Sequence, residues 1–147
     1  MAGPDVFGTN PYLDNRPVDG ELVTLLRGVT GARNLALEDY RSRAVIAGQV
    51  HELMTTDQPE AGPGATVDRV ALIGFFEVMN SGVLLVGSEV VIESQSIGVV
   101  AGFNDTHMPN HQNICVRVDE LHDGASLDLA VGGTVRFRAA GEERRQC

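Results

Sequence analysis

Residues 87–103 read Gly87-Ser88-Glu89-Val90-Val91-Ile92-Glu93-Ser94-Gln95-Ser96-Ile97-Gly98-Val99-Val100-Ala101-Gly102-Phe103. Two β-branched, apolar runs, 89–93 and 97–103, are separated by Ser94-Gln95 and preceded by Gly87-Ser88. Runs this short, bounded by small polar residues, are strands rather than helices. The same grammar extends in both directions. Residues 44–54, 67–79 and 83–86 come before; 114–118, 129–131 and 134–139 come after. Asn80-Ser81-Gly82 predicts a hairpin turn between 67–79 and 83–86. Residues 55–66, with two prolines, predict a long exposed loop. Leu85-Val86-Gly87-Ser88-Glu89-Val90-Val91-Ile92 and Ala130-Val131-Gly132-Gly133-Thr134-Val135-Arg136-Phe137 share one pattern, apolar–Gly–small–x–Val–x–apolar. A glycine there permits a tight turn at positive φ before the strand enters the sheet.

Many short strands with close turn signals predict an all-β fold: a small closed or nearly closed antiparallel barrel of about seven to eight strands. Closure removes the exposed edges that such Val-rich strands would present. The N-terminal segment is short and helical or extended, because 22–27 and 34–40 fit both periods. Residues 1–18, rich in Gly, Pro, Asn and Asp, form an arm; 19–140 form one barrel domain; 141–147 form a charged flexible tail.

At 147 residues the chain has the length of one domain. The net charge is −9 and all eleven cations are arginines. Cation poverty argues against nucleic acid and against an anionic membrane surface. The absence of lysine removes Schiff-base chemistry and the lysine of a phosphate-binding loop. It also suggests a GC-rich, bacterial gene. No run reaches the roughly 20 apolar residues of a membrane helix, and the first residues do not read as a signal peptide. The chain is therefore expected in the cytoplasm. Cys115 reads as a small buried apolar residue, and Cys147 stands at the chain end.

Residues 87–92, 97–103 and 114–118 resemble the barrel core of sorbitol-specific phosphotransferase IIA proteins. The likeness covers roughly 67–139 and implies a barrel. In that family the phosphoryl-accepting histidine lies in a His-x-His-Gly run. The matching positions here are Ile73-Gly74-Phe75-Phe76-Glu77, without histidine, so the resemblance implies no phosphocarrier activity. The polar segment below resembles a feature of an uncharacterised bacterial barrel family.

That segment runs Asn104-Asp105-Thr106-His107-Met108-Pro109-Asn110-His111-Gln112-Asn113. His107 and His111 have the spacing of helical metal ligands, but Pro109 breaks such a helix; as loop residues they could share a divalent ion with His51, Asp105 or Glu77, yet neither metal nor cofactor is expected. As proton carriers, His107 or His111 would act with Asp105 or Asn104 orienting them. Asn104, Asn110, Asn113, His51 and Gln49 are candidate ligand contacts. Glu77 is a further catalytic candidate. Alternation groups it with Ile73, Phe75 and Met79, and a carboxylate facing an apolar interior has its pKa raised. The plainer readings stand beside these. The loop's Asn and His side chains would satisfy its own backbone, Glu77 would reach solvent at its strand end, and Gln49 and His51 would lie on a wet face. Arg117, Arg136 and Arg138 would face water or pair with carboxylates across strands.

The function expected is binding of a small metabolite, with acid–base chemistry of isomerase, lyase or cyclase type. The alternative is a non-catalytic ligand-binding or assembly module. A homodimer is the expected assembly, with Phe7, Tyr12 and Leu13 of the arm as anchors.

Overall fold

The computed structural model describes residues 11–140. Phe7, Cys147 and the tail 141–147 lie outside the described residues. Among the described residues there are twelve strands and no helix. They are β1 (Val18–Leu25), β2 (Val29–Thr30), β3 (Leu35–Ala36), β4 (Ser42–Val45), β5 (Val50–Thr56), β6 (Thr66–Val67), β7 (Val70–Val78), β8 (Gly82–Leu85), β9 (Glu89–Ile92), β10 (Gln95–Asn104), β11 (Asn113–Arg117) and β12 (Thr134–Arg138).

Seven of these form a ring in the order β1-β12-β9-β10-β11-β5-β7, and β7 pairs with β1 to return to the start. The inward residues follow the period of two. Val90 and Ile92 of β9, Val135 and Phe137 of β12, and Val18 and Leu22 of β1 fill one core with Phe76, Phe103 and Ile114. Six of the seven ring pairings are antiparallel; β5–β11 is parallel. An odd ring requires this, since strands that alternate up and down cannot close without one like-directed pair.

The two similar glycine-led pieces are neighbours. Gly87 and Gly132 have φ of 93° and 94°, and the strands that follow them, β9 and β12, pair with each other. Glu93 and Ser94, both at positive φ, make the turn between β9 and β10. Arg138 meets Glu89 at 2.8 Å and Arg136 meets Asp19 at 3.4 Å, each directly across a strand pair.

A second, smaller core lies outside the ring. Met54, Val70, Ala101 and Cys115, on the outer faces of β5, β7, β10 and β11, are covered by Leu35 of β3, Val67 of β6, Leu37 and Ala61.

Of the two readings open for the N-terminal segment the extended one holds: residues 22–27 are strand up to Leu25, and 34–40 carry only β3. Three other expectations are corrected. Residues 44–54 are not one strand: Gly48, at φ 97°, turns the chain, and Gln49 Oε1 accepts the Ile46 N–H at 3.0 Å. Residues 129–131 are not a strand. The segment after Asn80-Ser81-Gly82 does not fold back on β7, because β8 pairs with β4. Ser81 Oγ accepts the Ala47 N–H at 2.9 Å, and Asn80 Oδ1 accepts the Asp19 N–H at 2.7 Å. These bonds carry the chain past β1 towards β4. The described end of the arm is held by the same corner: Asn15 Nδ2 donates to Val83 O at 2.9 Å.

Candidate functional site

The parallel pairing decides where the polar residues meet. Two parallel strands start at the same end of the sheet. The start of β5, with Gln49 just before it and His51 and Glu52 within it, therefore lies beside the start of β11, with His111 and Gln112 just before it and Asn113 its first residue. The β10–β11 connection, 105–112, caps this end of the seam.

On the inner side stands His51, 3% exposed, its ring 6.3 Å from that of Phe76. Its Nδ1 accepts the Gln112 backbone N–H at 3.0 Å, and its Nε2 lies 3.2 Å from Gln49 Oε1. A nitrogen that accepts from an amide carries no proton. These partners therefore select the neutral tautomer with hydrogen on Nε2. Burial, then the positive charge of Arg43, then His111 push its pKa down to about 4. His51 is thus neutral near pH 7 and has both nitrogens engaged.

Gln112, 1% exposed, is the hub. Its Nε2 faces Asn104 O at 2.9 Å, Tyr40 Oη at 3.1 Å and the Asp105 carboxylate, and its Oε1 accepts from Arg43 Nε. Tyr40 donates to Asp105 Oδ1 at 2.6 Å and stacks on Phe103 with ring centroids 5.7 Å apart. Burial, then the bond to Asp105, raise the Tyr40 pKa to about 12.

On the outer face, Asn104, Asn113, Glu52 and Phe75 stand side by side across β10, β11, β5 and β7. Asn104 Nδ2 donates to Ala36 O at 2.7 Å; its Oδ1 accepts from Thr106 N and Asn113 Nδ2, both at 3.0 Å. His111 lies over the other end of this row. Its ring meets Phe75 edge-on at 5.0 Å, and its Nε2 is 3.4 Å from Glu52 Oε1. His107 is exposed and lies against His111, ring centroids 5.1 Å apart.

The seam thus gathers His51, Gln49, Asn104, Asp105, His107, His111 and Asn113. Asn110 is exposed at the loop tip, its N–H bonded to His107 O at 2.9 Å. Glu77 is half-buried on the outer face, opposite Glu21 and Val50, while Ile73 points into the core. The grouping of Glu77 with Ile73 fails because β7 carries an extra residue at 73–74, where Leu53 pairs with Gly74 and Met54 with Leu72. Such a bulge flips the alternation.

Four residues of the cluster, Tyr40, Arg43, Glu52 and Gln112, are not singled out by sequence. Only Glu52 carried a usable signal, a carboxylate directly before the apolar pair Leu53-Met54.

Four surface clefts have volumes of about 650, 600, 400 and 350 Å3, and none of these four is lined by a residue of 101–113. Among the described residues no group of three or more His, Cys, Asp and Glu side chains is placed to hold a metal ion. No helix among them is long and apolar enough to cross a membrane. No curated protein and no solved structure matches the chain. A family model does match, over residues 12–138, which takes in the whole ring and the polar seam. The chain belongs to that family, DUF6917, a family of unknown function.

Proposed function

We propose that the chain is a non-catalytic binding and assembly module, in which the 102–113 loop clasps the parallel seam. The observation that carries this reading is how the loop's polar groups are used. Gln112, Asn104 and His51 are buried and bonded to one another's segments. His51, His107 and His111 also line none of these four clefts, whereas an enzyme for a small metabolite needs a concave site. Large apolar side chains stay exposed at Leu13, Ile46, Met79 and Val131. A second copy of the chain is the simplest partner to cover such surface. Cytoplasmic residence goes with this reading.

One observation favours the catalytic reading. Glu52 lies 3.4 Å from His111, and the exposed His107 lies tilted against His111; a carboxylate that orients an imidazole is the arrangement of a general base. Thermal-shift screening of a metabolite panel on the wild type and on His107→Ala separates the two. The module reading expects no hit that depends on His107, and a hit lost in the variant would replace it with the enzyme. Light scattering at micromolar concentration tests assembly: a dimer is expected, weakened by deletion of residues 1–17.

A further inference from the structure

Two buried side-chain atoms among the described residues lack a hydrogen-bond partner, His111 Nε2 and Asn113 Oδ1. Both belong to the outer row at the start of the seam, and between them lies Glu52. The Glu52 side chain is 10% exposed, and His111 Nε2 stands 3.4 Å from its Oε1. Asn113 is fully buried and is the strand neighbour of Glu52 in the parallel register, so both side chains leave the same face. Its Nδ2 is committed to Asn104 Oδ1 on the β10 side, its Oδ1 has no partner, and β5 with Glu52 flanks β11 on the other side.

We propose that Glu52, His111 and Asn113 form a site for one divalent transition-metal ion, zinc being the best fit by ligand type. A carboxylate oxygen, an imidazole nitrogen and an amide oxygen all offer lone pairs, and a cation satisfies all three together. The 3.4 Å separation is long for a hydrogen bond. It matches the span between two ligand atoms that share one ion, since bonds of about 2.1 Å at a tetrahedral angle place them roughly 3.4 Å apart. Water would complete the coordination. His107 lies beside His111, ring centroids 5.1 Å apart, but is exposed, whereas the unpartnered Nε2 of His111 stands 3.4 Å from Glu52. The parallel seam supplies a different set, with one histidine from the loop and its partners from two strands. The ion would tie the 105–112 loop to β5. This goes beyond the module reading and does not rest on it.

The test uses the full chain, stripped with chelator and titrated with zinc chloride by calorimetry, with melting temperature read in parallel. One ion per chain and a rise in melting temperature are expected. Glu52→Gln and His111→Gln should each weaken binding by more than the roughly 10–100-fold typical of losing an outer-shell partner. His122→Gln, with its histidine on another loop beside Glu120, should leave it unchanged. No binding by the folded wild type, or full binding by both ligand variants, overturns the site. If a variant does not fold, the 15N-labelled wild type decides. Zinc must shift the ring nitrogens of His111 and not those of His122, and an unmoved His111 overturns the proposal.

Discussion

The backbone N–H of Gln112 donates to Nδ1 of His51 across 3.0 Å, joining two residues 61 positions apart in sequence. The bond requires an imidazole without a proton on that nitrogen, and burial, Arg43 and His111 hold the His51 pKa down to about 4. An unfolded histidine titrates near 6.5. Between these values the unfolded chain binds a proton that the folded chain does not. Stability attributable to His51 is therefore complete above about pH 6.5, falls as pH drops towards 4, and reaches a loss of about 3 kcal/mol. Urea denaturation from pH 4.5 to 7.5, with chelator present, should show a steeper fall for the wild type than for His51→Gln. Parallel curves would contradict this.

Gln112→Ala removes the group shared by Arg43, Tyr40, Asp105 and the Asn104 carbonyl. The buried Asn104 carbonyl left unpaired, together with the space vacated, should cost about 2–4 kcal/mol. The urea midpoint reads this directly, and a shift worth less than about 1 kcal/mol would show that water replaces the amide.

Gly98 sits where the β9–β10 register slips, and a Cβ there would lie 2.1 Å from Arg117 O. The obstacle is backbone, so Gly98→Ala should destabilise by roughly 3 kcal/mol. Gly31→Ala, with nothing within 4 Å of the new carbon, should stay within about 0.5 kcal/mol of the parent. Thermal melts of both variants make the comparison.

Cys115 is fully buried in the outer core, and that burial pushes its thiol up to about 12. In a Cys147→Ser background a disulfide reagent at pH 8 should label the chain only as fast as it opens. Rapid stoichiometric labelling of the folded protein would show that the flap formed by β3 and β6 does not protect it.

What was legible in the sequence is what is local. Strands β9, β10, β11 and β12, and the glycine turns at 87 and 132, follow from alternation and turn chemistry within a few residues. The polar stretch 102–113 was legible as a cluster because its residues are contiguous. Its partners were not. Glu52 reaches it only because an odd ring demands one parallel pair, a parity that no window of sequence displays, and Tyr40 and Arg43 reach it from the segment between β3 and the end of β4, which lies outside the ring. The face of Glu77 was misread because the extra residue at 73–74 breaks the period of two. The partner of β8 was misread because the side chains of Asn80 and Ser81 bond to distant backbone rather than closing a hairpin.

The route by which the chain finds this ring follows from the same seam. Of the ring's pairings, β9–β10 and β10–β11 join consecutive strands across short connections. The β5–β11 and β1–β7 pairings each bring together residues about fifty to sixty positions apart, and β1–β12 spans almost the whole domain. Loop-closure entropy is spent before such contacts return anything, and folding rates fall as mean contact separation grows. The three-stranded meander β9-β10-β11 is therefore the natural nucleus, with β5 zipping onto it afterwards as the Gln112–His51 bond forms. Substitutions in the meander should slow folding, whereas substitutions at His51 or Gln112 should mainly hasten unfolding. The polar clasp would then act as a kinetic latch, setting how long the closed ring lasts rather than how quickly it is reached.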